Sequence, residues 1–489
     1  MGSMTANDSG TDRTFHLAVA PDLSVGYEVA TGRLFSVPEA HNSCRARIAC
    51  TATSEPLPRK RDHERAASMP VSPETAAQTK APALPRVPGP LDRLSLHVSH
   101  DCNMRCRYCY AGGGTYGGRS ECMTPEIAGE LIHRIARSAG SIGAIQFFGG
   151  EPLLAVSSME AACAAAHRSY DEGTLSEMPA FRIVSNFSRL PAEFLDLVHR
   201  FDIEVAASCD GPQAVHDRLR PFADGSGSFE TLARNIEALQ KATSGRQPKG
   251  LAATYTRLHQ DVGMTRADLR SFLCAKFGVA EVMVIPVRPL PGVDRSLVPR
   301  WDNPLREHAE HARSAVRSLA DVQRQIDLSG LLMAPYILFP GRAACETFCP
   351  AGIRTISVTP SGDIYPCQVF MGSGEFYMGN GLCADDIEQS PHYLRVWRKL
   401  RNNLKSSVPE CQECWLRRIC RSCPGLMFTL NGGINQPVEE DCLLRQGLTE
   451  GTLLEVARIR EDPVVWSRFV ANVKKTIQAM SKGPRGGLC

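Results

Sequence analysis

"SHDCNMRCRYCYAGGG", residues 99–114, carries three cysteines, Cys102, Cys106 and Cys109, within eight positions. Packing a core requires no such cluster. Thiolates this close together bind iron or zinc, and a fourth would close a tetrahedral site. Three leave one position open to an outside group. The spacing alone allows an iron–sulfur centre with one open iron, or zinc completed by a distant fourth ligand.

The run "RLSLHVSH" (93–100) leads into this loop, and five more β-rich runs follow it. They are "AIQFFGG" (144–150), "FRIVSN" (181–186), "EVAASCDG" (204–211), "LAATYT" (251–256) and "EVMVIPV" (281–287). The segments between them, such as "TPEIAGELIHRIARSAG" and "SFETLARNIEALQK", repeat with helical period. Six strand-then-helix units predict a parallel α/β sheet curled into a barrel or partial barrel, with chemistry at the C-terminal strand ends. The first strand runs into the three-cysteine loop, so the thiols fall where such a fold holds its site.

The chain has 489 residues, more than one core usually supports, which predicts two or three domains. Residues 14–37 read as two short strands around a turn, within a β-rich segment over 1–50. Residues 51–90, rich in proline and carrying the charge run "PRKRDHER", read as a linker. The strand–helix alternation spans 91–330, a cysteine-rich region follows over 331–448, and 449–489 reads as one or two amphipathic helices. The opening "MGSM" reads as a cloning remnant. A formal charge of +3 argues against nucleic acid or an acidic membrane surface as partner. With no apolar run of membrane-spanning length and no signal-peptide pattern, a cytoplasmic protein is expected. The chain has 19 cysteines, an odd number that weakens a pure disulfide framework. Isolated Cys44, Cys50, Cys122, Cys163, Cys209, Cys274 and Cys383 read as small buried hydrophobes or inert thiols.

Cys-x3-Cys-x2-Cys, with Tyr108 before the third cysteine, resembles the radical S-adenosylmethionine (SAM) superfamily over about residues 91–330. The resemblance implies a [4Fe–4S] cluster on Cys102, Cys106 and Cys109 whose open iron chelates SAM. It implies reductive cleavage of SAM to methionine and a 5′-deoxyadenosyl radical, which removes a hydrogen atom from substrate. In "FFGGEP", Gly149 and Gly150 would let backbone approach a ligand closely, and Glu151 could accept hydrogen bonds from an ammonium. In the superfamily this stretch holds the amino group of SAM. By the same resemblance, Ser185 and Asn186 of "VSNF" and Ser208 and Asp210 of "SCDG" lie near the SAM ribose and carboxylate. The alternative for both pairs is polar capping of strand ends. Strand alternation turns Cys209 away from Ser208 and Asp210, into the core.

A second cysteine field comprises Cys345, Cys349, Cys367, Cys411, Cys414, Cys420, Cys423 and Cys442. Eight thiols suffice for two fully ligated [4Fe–4S] clusters, or for two zinc knuckles. The spacing resembles the SPASM domain, the twin-cluster extension of many radical SAM enzymes that modify peptides. Its interleaved ligation would assign Cys345, Cys349, Cys367 and Cys423 to one cluster, and Cys411, Cys414, Cys420 and Cys442 to the other. The family's gap of three before the last cysteine of the quartet is two here, which touches the Cys423 assignment. Three clusters in all are expected.

The stretches around the cysteine loop and "DGPQAVHDRLRPFADGSGSFE" resemble the thioether-forming maturases of six-cysteine peptides and of the quinohemoprotein amine dehydrogenase small subunit. The expected substrate is a ribosomally made peptide or small protein subunit. Its leader would add as a strand to the N-terminal segment, and flavodoxin or ferredoxin would supply electrons. Carbon–carbon crosslinking is one alternative and formylglycine formation by an anaerobic sulfatase maturase another. The latter family places an aspartate base after the cysteine of "YPC", where this chain has Gln368. An iron–sulfur electron carrier is the non-enzymatic alternative, and it would have no use for a SAM-binding motif.

Overall fold

The computed structural model describes residues 3–7, 14–20, 23–28, 33–36, 89–321, 326–327, 346–383, 387 and 390–480. Near the N-terminus, β1 (Ser3–Asn7), β2 (Thr14–Ala20), β3 (Leu23–Glu28) and β4 (Arg33–Ser36) form an antiparallel sheet in chain order. The sequence suggests two strands here and the structure has four. Ala20 pairs with Leu23, dividing what reads as one run, and Met4 of the "MGSM" opening pairs with Leu17. β1, with the sequence SMTAN, is too short and polar to announce itself by alternation. Residues 51–88 of the expected linker lie outside the described residues, as do Cys44, Cys50 and Cys345.

The six expected runs form β5 (Arg93–Ser99), β6 (Ala144–Gly149), β7 (Ala180–Ser185), β8 (Glu204–Ser208), β9 (Gly250–Tyr255) and β10 (Glu281–Pro286). They are the centre of a nine-stranded sheet, completed by β11 (Ile326–Asp327), β12 (Thr355–Val358) and β13 (Ile364–Tyr365). Its order is β11-β10-β9-β8-β7-β6-β5-β12-β13, parallel from β11 to β12, with only the β12–β13 pair antiparallel. Neighbours in space are neighbours in sequence across the six central strands, the winding of a partial barrel. β5 is buried at six of its seven positions, as a parallel strand covered on both faces must be.

Helices α1 (Pro125–Ala139), α2 (Val156–Asp171), α3 (Ala192–Phe201), α4 (Gln213–Leu219), α5 (Phe229–Ala242), α6 (Arg257–Asp261), α7 (Arg266–Phe277) and α8 (Pro304–Ala320) lie between or after the strands. α1 illustrates why they stop and start where they do. Thr124 Oγ1 accepts from Ile127 N at 3.3 Å, Pro125 opens the first turn, and Gly140 closes the helix in the left-handed region at φ 66°. Leu131, Ile132 and Ile135 of its apolar face are buried against the sheet core around Leu94, Leu96, Ile145 and Phe147.

The cysteine-rich region adds α9 (Pro391–Arg401), α10 (Pro409–Gln412), α11 (Pro424–Asn431), α12 (Glu439–Arg460) and α13 (Pro463–Met480). The terminal amphipathic segment is thus two helices, and the first starts at Glu439 rather than near residue 449. α12 crosses α8 with backbone nearly touching. A Cβ on Gly451 would lie 2.1 Å from Ala309 O, and one on Gly447 2.5 Å from Leu305 O. Beside this crossing the buried Glu455 accepts from Arg313 Nε and from Arg317 Nε and Nη2 at 2.9–3.2 Å. Strands β2, β3 and β4 also lie against α12. Among the described residues no helix is long and apolar enough to cross a membrane.

Candidate active site

Three loops meet at the C-terminal ends of β5 and β6. Gly150 N donates to Ser99 O at 2.8 Å and Glu151 N to Asp101 O at 2.9 Å, locking "GGE" onto the start of the cysteine loop. A Cβ at Gly149, where φ is +132°, would sit 2.0 Å from Ser99 O; one at Gly150 would sit 2.2 Å from Asp101 O. Gly114, from the far end of the cysteine loop, closes on Gly150 Cα in the same way, at 2.6 Å from its own absent Cβ. The two glycines are therefore required by loop packing on loop, a different cause from the ligand approach the sequence suggests.

This packing presents Cys102, Cys106 and Cys109 to a cavity of about 410 Å³. All three are partly buried, and Cys109 lies close enough to help raise the thiol pKa of both Cys102 and Cys106. Burial first, and then the charge of Glu151, pushes the Cys102 thiol up to about 12. Gly149, Gly150, Glu151, Ser185, Asn186, Ser208 and Tyr108 line the same cavity. Asp210 does not.

Glu151 is almost fully buried and braces the strand ends. Its Oε1 accepts from Leu153 N at 2.9 Å and Ser185 Oγ at 2.8 Å, and its Oε2 from Asn186 N at 2.8 Å. Burial raises its pKa, against the pull of these donors. Asn186 Nδ2 reaches Asn103 Oδ1 at 3.2 Å, tying β7 to the cysteine loop.

Asp210 lies one layer deeper than the reading of "SCDG" suggests, with no exposure. Its Oδ2 accepts from Tyr108 Oη, and its Oδ1 accepts from Thr254 N at 2.8 Å. The His216 ring stands behind it, with Nδ1 accepting from Asp210 N at 3.2 Å. Arg220 Nη1 donates to Tyr108 Oη at 2.7 Å and lies 4.0 Å from Asp210. Asp210 thus spends its charge on holding Tyr108 and Arg220, and the group facing the cavity is Arg220. Arg220 is 8 % exposed, and its Nε has no hydrogen-bond partner among the described residues. Sequence reasoning missed it, although it stands in the quoted "DRLRPF" stretch; only the fold returns α4 to the cysteine loop. The far wall is apolar, built from Met283, Ile285, Val287, Leu290 and Val293, with Arg288 as its one charged group.

The described cysteines of the second field separate into two sets. Burial raises Cys349, Cys367 and Cys423, and Cys367 feels both of the others. Cys411, Cys414, Cys420 and Cys442 line a second cavity, of about 360 Å³, and burial with the nearby Cys420 raises the thiol pKa of the other three. Three cations line that cavity, Arg417, Arg445 and the fully buried Lys405, whose Nζ donates to Cys420 O at 3.1 Å. Cys345, expected with the first set, is outside the described residues. Cys163, Cys209 and Cys274 sit in the core, while Cys122 and Cys383 are exposed. Gln368, next to Cys367, hydrogen-bonds Tyr110, which follows Cys109 and also meets Tyr116. The two cysteine fields are therefore in direct contact.

No three His, Cys, Asp or Glu side chains among the described residues gather as ligands of a single ion. The thiolates of a cubane cluster each take a different iron, so a cluster needs no such gathering around one point.

Parallel strands with thiols at the end of the first and a glycine-glycine-glutamate turn at the end of the second define a radical SAM domain. Residues 96–248 match the Radical SAM superfamily, and the chain carries that domain. A radical SAM cyclopropyl synthase, TigE of Paramaledivibacter caminithermalis, is 26% identical over 162 residues, 30% of this chain and 32% of TigE. An uncharacterized protein of Methanocaldococcus jannaschii is 29% identical over 143 residues, 29% of this chain and 46% of that protein. The chain thus spans less than half the length of these relatives. Among solved structures, anSMEcpe with bound AdoMet superposes with a TM-score of 0.62 at 17% identity, covering 79% of this chain and 98% of that one. SuiB of Streptococcus suis bound to S-adenosylmethionine gives 0.50 at 13% identity, covering 70% and 74%. At these identities the likeness is one of fold, and it extends well beyond the matched domain. The family implies a [4Fe–4S] cluster and SAM. The donor set fits both, with three thiols for the cluster and the Arg220 guanidinium, whose Nε has no partner among the described residues, on the cavity wall for an anionic group.

Proposed function

We propose that the chain is a radical SAM enzyme that crosslinks a cysteine sulfur to a carbon within a ribosomally made peptide. The observation that carries the reading is the division of the clustered cysteines into three sets, two of them each lining a cavity. Cys102, Cys106 and Cys109 would hold the SAM-binding cluster. Cys349, Cys367 and Cys423, with Cys345, would hold a first auxiliary cluster, and Cys411, Cys414, Cys420 and Cys442 a second. Lys405 and Arg445 beside the quartet support an anionic occupant of the second cavity, because a nearby cation favours negative charge.

When bound, the cluster and SAM supply a 5′-deoxyadenosyl radical that takes hydrogen from a substrate carbon. The chain's residues bind and orient. Arg220, held by Tyr108 and Asp210, would donate to the SAM carboxylate from the cavity wall. Glu151 and the Gly149–Gly150 backbone would receive the SAM ammonium, and Ser185, Asn186 and Ser208 would border the ribose; all line the cavity. The apolar wall at Met283, Ile285 and Val287 excludes water from the reacting carbon. anSMEcpe has been solved with AdoMet and a peptide, which supports a peptide as substrate here. Formylglycine formation is less well served, since Gln368 offers an amide beside Tyr110 where a base would be needed. Flavodoxin or ferredoxin would reduce the SAM-binding cluster.

The test is anaerobic incubation with SAM, reductant and a cysteine-containing precursor peptide encoded beside the gene. The product should weigh two hydrogens less per crosslink, with the joined cysteine resistant to alkylation. Cysteines that all still alkylate in the product would exclude a thioether and leave a carbon–carbon bond or formylglycine.

A further inference from the structure

Given two auxiliary clusters held as proposed above, we propose that Arg445 and the neighbouring Asp441 tune, with opposite sign, the reduction potential of both.

Arg445 lies on α12 between the two cysteine sets. It lines the cavity of the quartet, and its charge acts on Cys420 of that set and on Cys423 and Cys349 of the other. Lys405, the other buried cation, acts on Cys411 and Cys414 of the quartet. Arg445 is therefore a cation shared by both sets. Its side chain is 17% exposed, so the solvent screens it weakly.

Asp441 stands one helical turn before Arg445, beside Cys442, and is 2% exposed. Its Oδ2 lies 3.7 Å from Arg445 Nε, while its Oδ1 accepts from Arg288 Nη2 at 2.7 Å. Arg288 follows β10 and lines the main cavity. A row of alternating charge, Arg288–Asp441–Arg445, thus runs from the wall of the substrate cavity to the gap between the cysteine sets. Nothing in the packing of α12 needs two arginines and an aspartate there, since apolar side chains would fill the space at lower desolvation cost.

The physical consequence is electrostatic. A cluster ligated by four thiolates gains one negative charge when it accepts one electron. A fixed cation nearby favours that reduced form, and a fixed anion opposes it. Arg445 raises both auxiliary potentials, and the nearby anion Asp441 limits the rise. The electron comes from the substrate once the radical has formed, and the proton leaves from the substrate thiol as the sulfur–carbon bond closes. A higher auxiliary potential makes that electron transfer more favourable.

The test is a potentiometric titration followed by electron paramagnetic resonance on full-length, anaerobically reconstituted protein, preceded by an iron count. Wild type should hold about twelve irons per chain. Arg445→Gln should keep its iron and move both auxiliary signals to more negative potential, leaving the SAM-site signal where it was. Asp441→Asn should move the auxiliary signals the opposite way, and Arg445→Lys should restore most of the wild-type value. General loosening of the region would not give opposite signs in two neighbouring variants. Full iron with unmoved auxiliary potentials in Arg445→Gln overturns the proposal. If Arg445→Gln loses iron, unmoved potentials in Asp441→Asn overturn it instead. A wild-type count near four irons overturns the two-cluster reading, and this proposal with it.

Discussion

Replacing Gly150 by alanine tests how the site is built. The new methyl would begin 2.2 Å from Asp101 O, 2.7 Å from Asp101 C and 2.9 Å from Gly114 Cα. Relief to ordinary contact requires the two loops to part by roughly 1 Å, and every atom in the way is backbone. Overpacking of this kind costs about 1–3 kcal/mol, and the rigid neighbours put it near the top of that range. Gly150 has no positive φ, so the penalty is steric alone. A displacement of about 1 Å at a reacting centre is worth about a hundredfold in rate. Gly150→Ala should therefore lower SAM cleavage by about that factor while the circular dichroism spectrum stays that of the folded protein. Chromatographic measurement of 5′-deoxyadenosine per iron-loaded molecule reads it. Wild-type turnover with wild-type melting in this variant would refute the loop-on-loop account.

Arg220→Gln should weaken SAM binding to the loaded, oxidised protein by about 10- to 100-fold, the worth of one charged hydrogen bond, as read by calorimetry. Burial lowers the His216 pKa from 6.5 to about 4, so the unfolded chain binds more protons between those values and stability falls as pH drops through that window. The loss at pH 5 is about 2 kcal/mol, and His216→Gln should flatten that part of a denaturant titration run against pH. Gly451→Ala, whose methyl would press on Ala309 O, should cost about 1–3 kcal/mol in chemical denaturation with SAM cleavage per folded molecule unchanged.

The six barrel strands were legible because each is a short apolar run closed by glycine or a polar residue, and their order in the sheet is their order in sequence. The Cys102, Cys106 and Cys109 loop was legible because its ligands are local. What escaped depends on chain return. Arg220 meets Tyr108 across 112 residues, and Arg288 meets Asp441 across 153, distances at which no spacing rule operates. Asp210 and Ser208 share strand parity, yet Ser208 reaches the cavity while Asp210 is capped by Tyr108 and Thr254 N. Parity gives a face of the sheet, and depth along it comes from packing. The N-terminal sheet gave half its strands, because β1 has no apolar alternation to read.

The most direct test of the account is production of 5′-deoxyadenosine by the anaerobically reconstituted protein with SAM and dithionite. Wild type should form it, and Cys102→Ala/Cys106→Ala/Cys109→Ala should form none while keeping about eight of about twelve irons. 5′-Deoxyadenosine from the triple variant, or none from an iron-replete wild type, would contradict the radical SAM site described above.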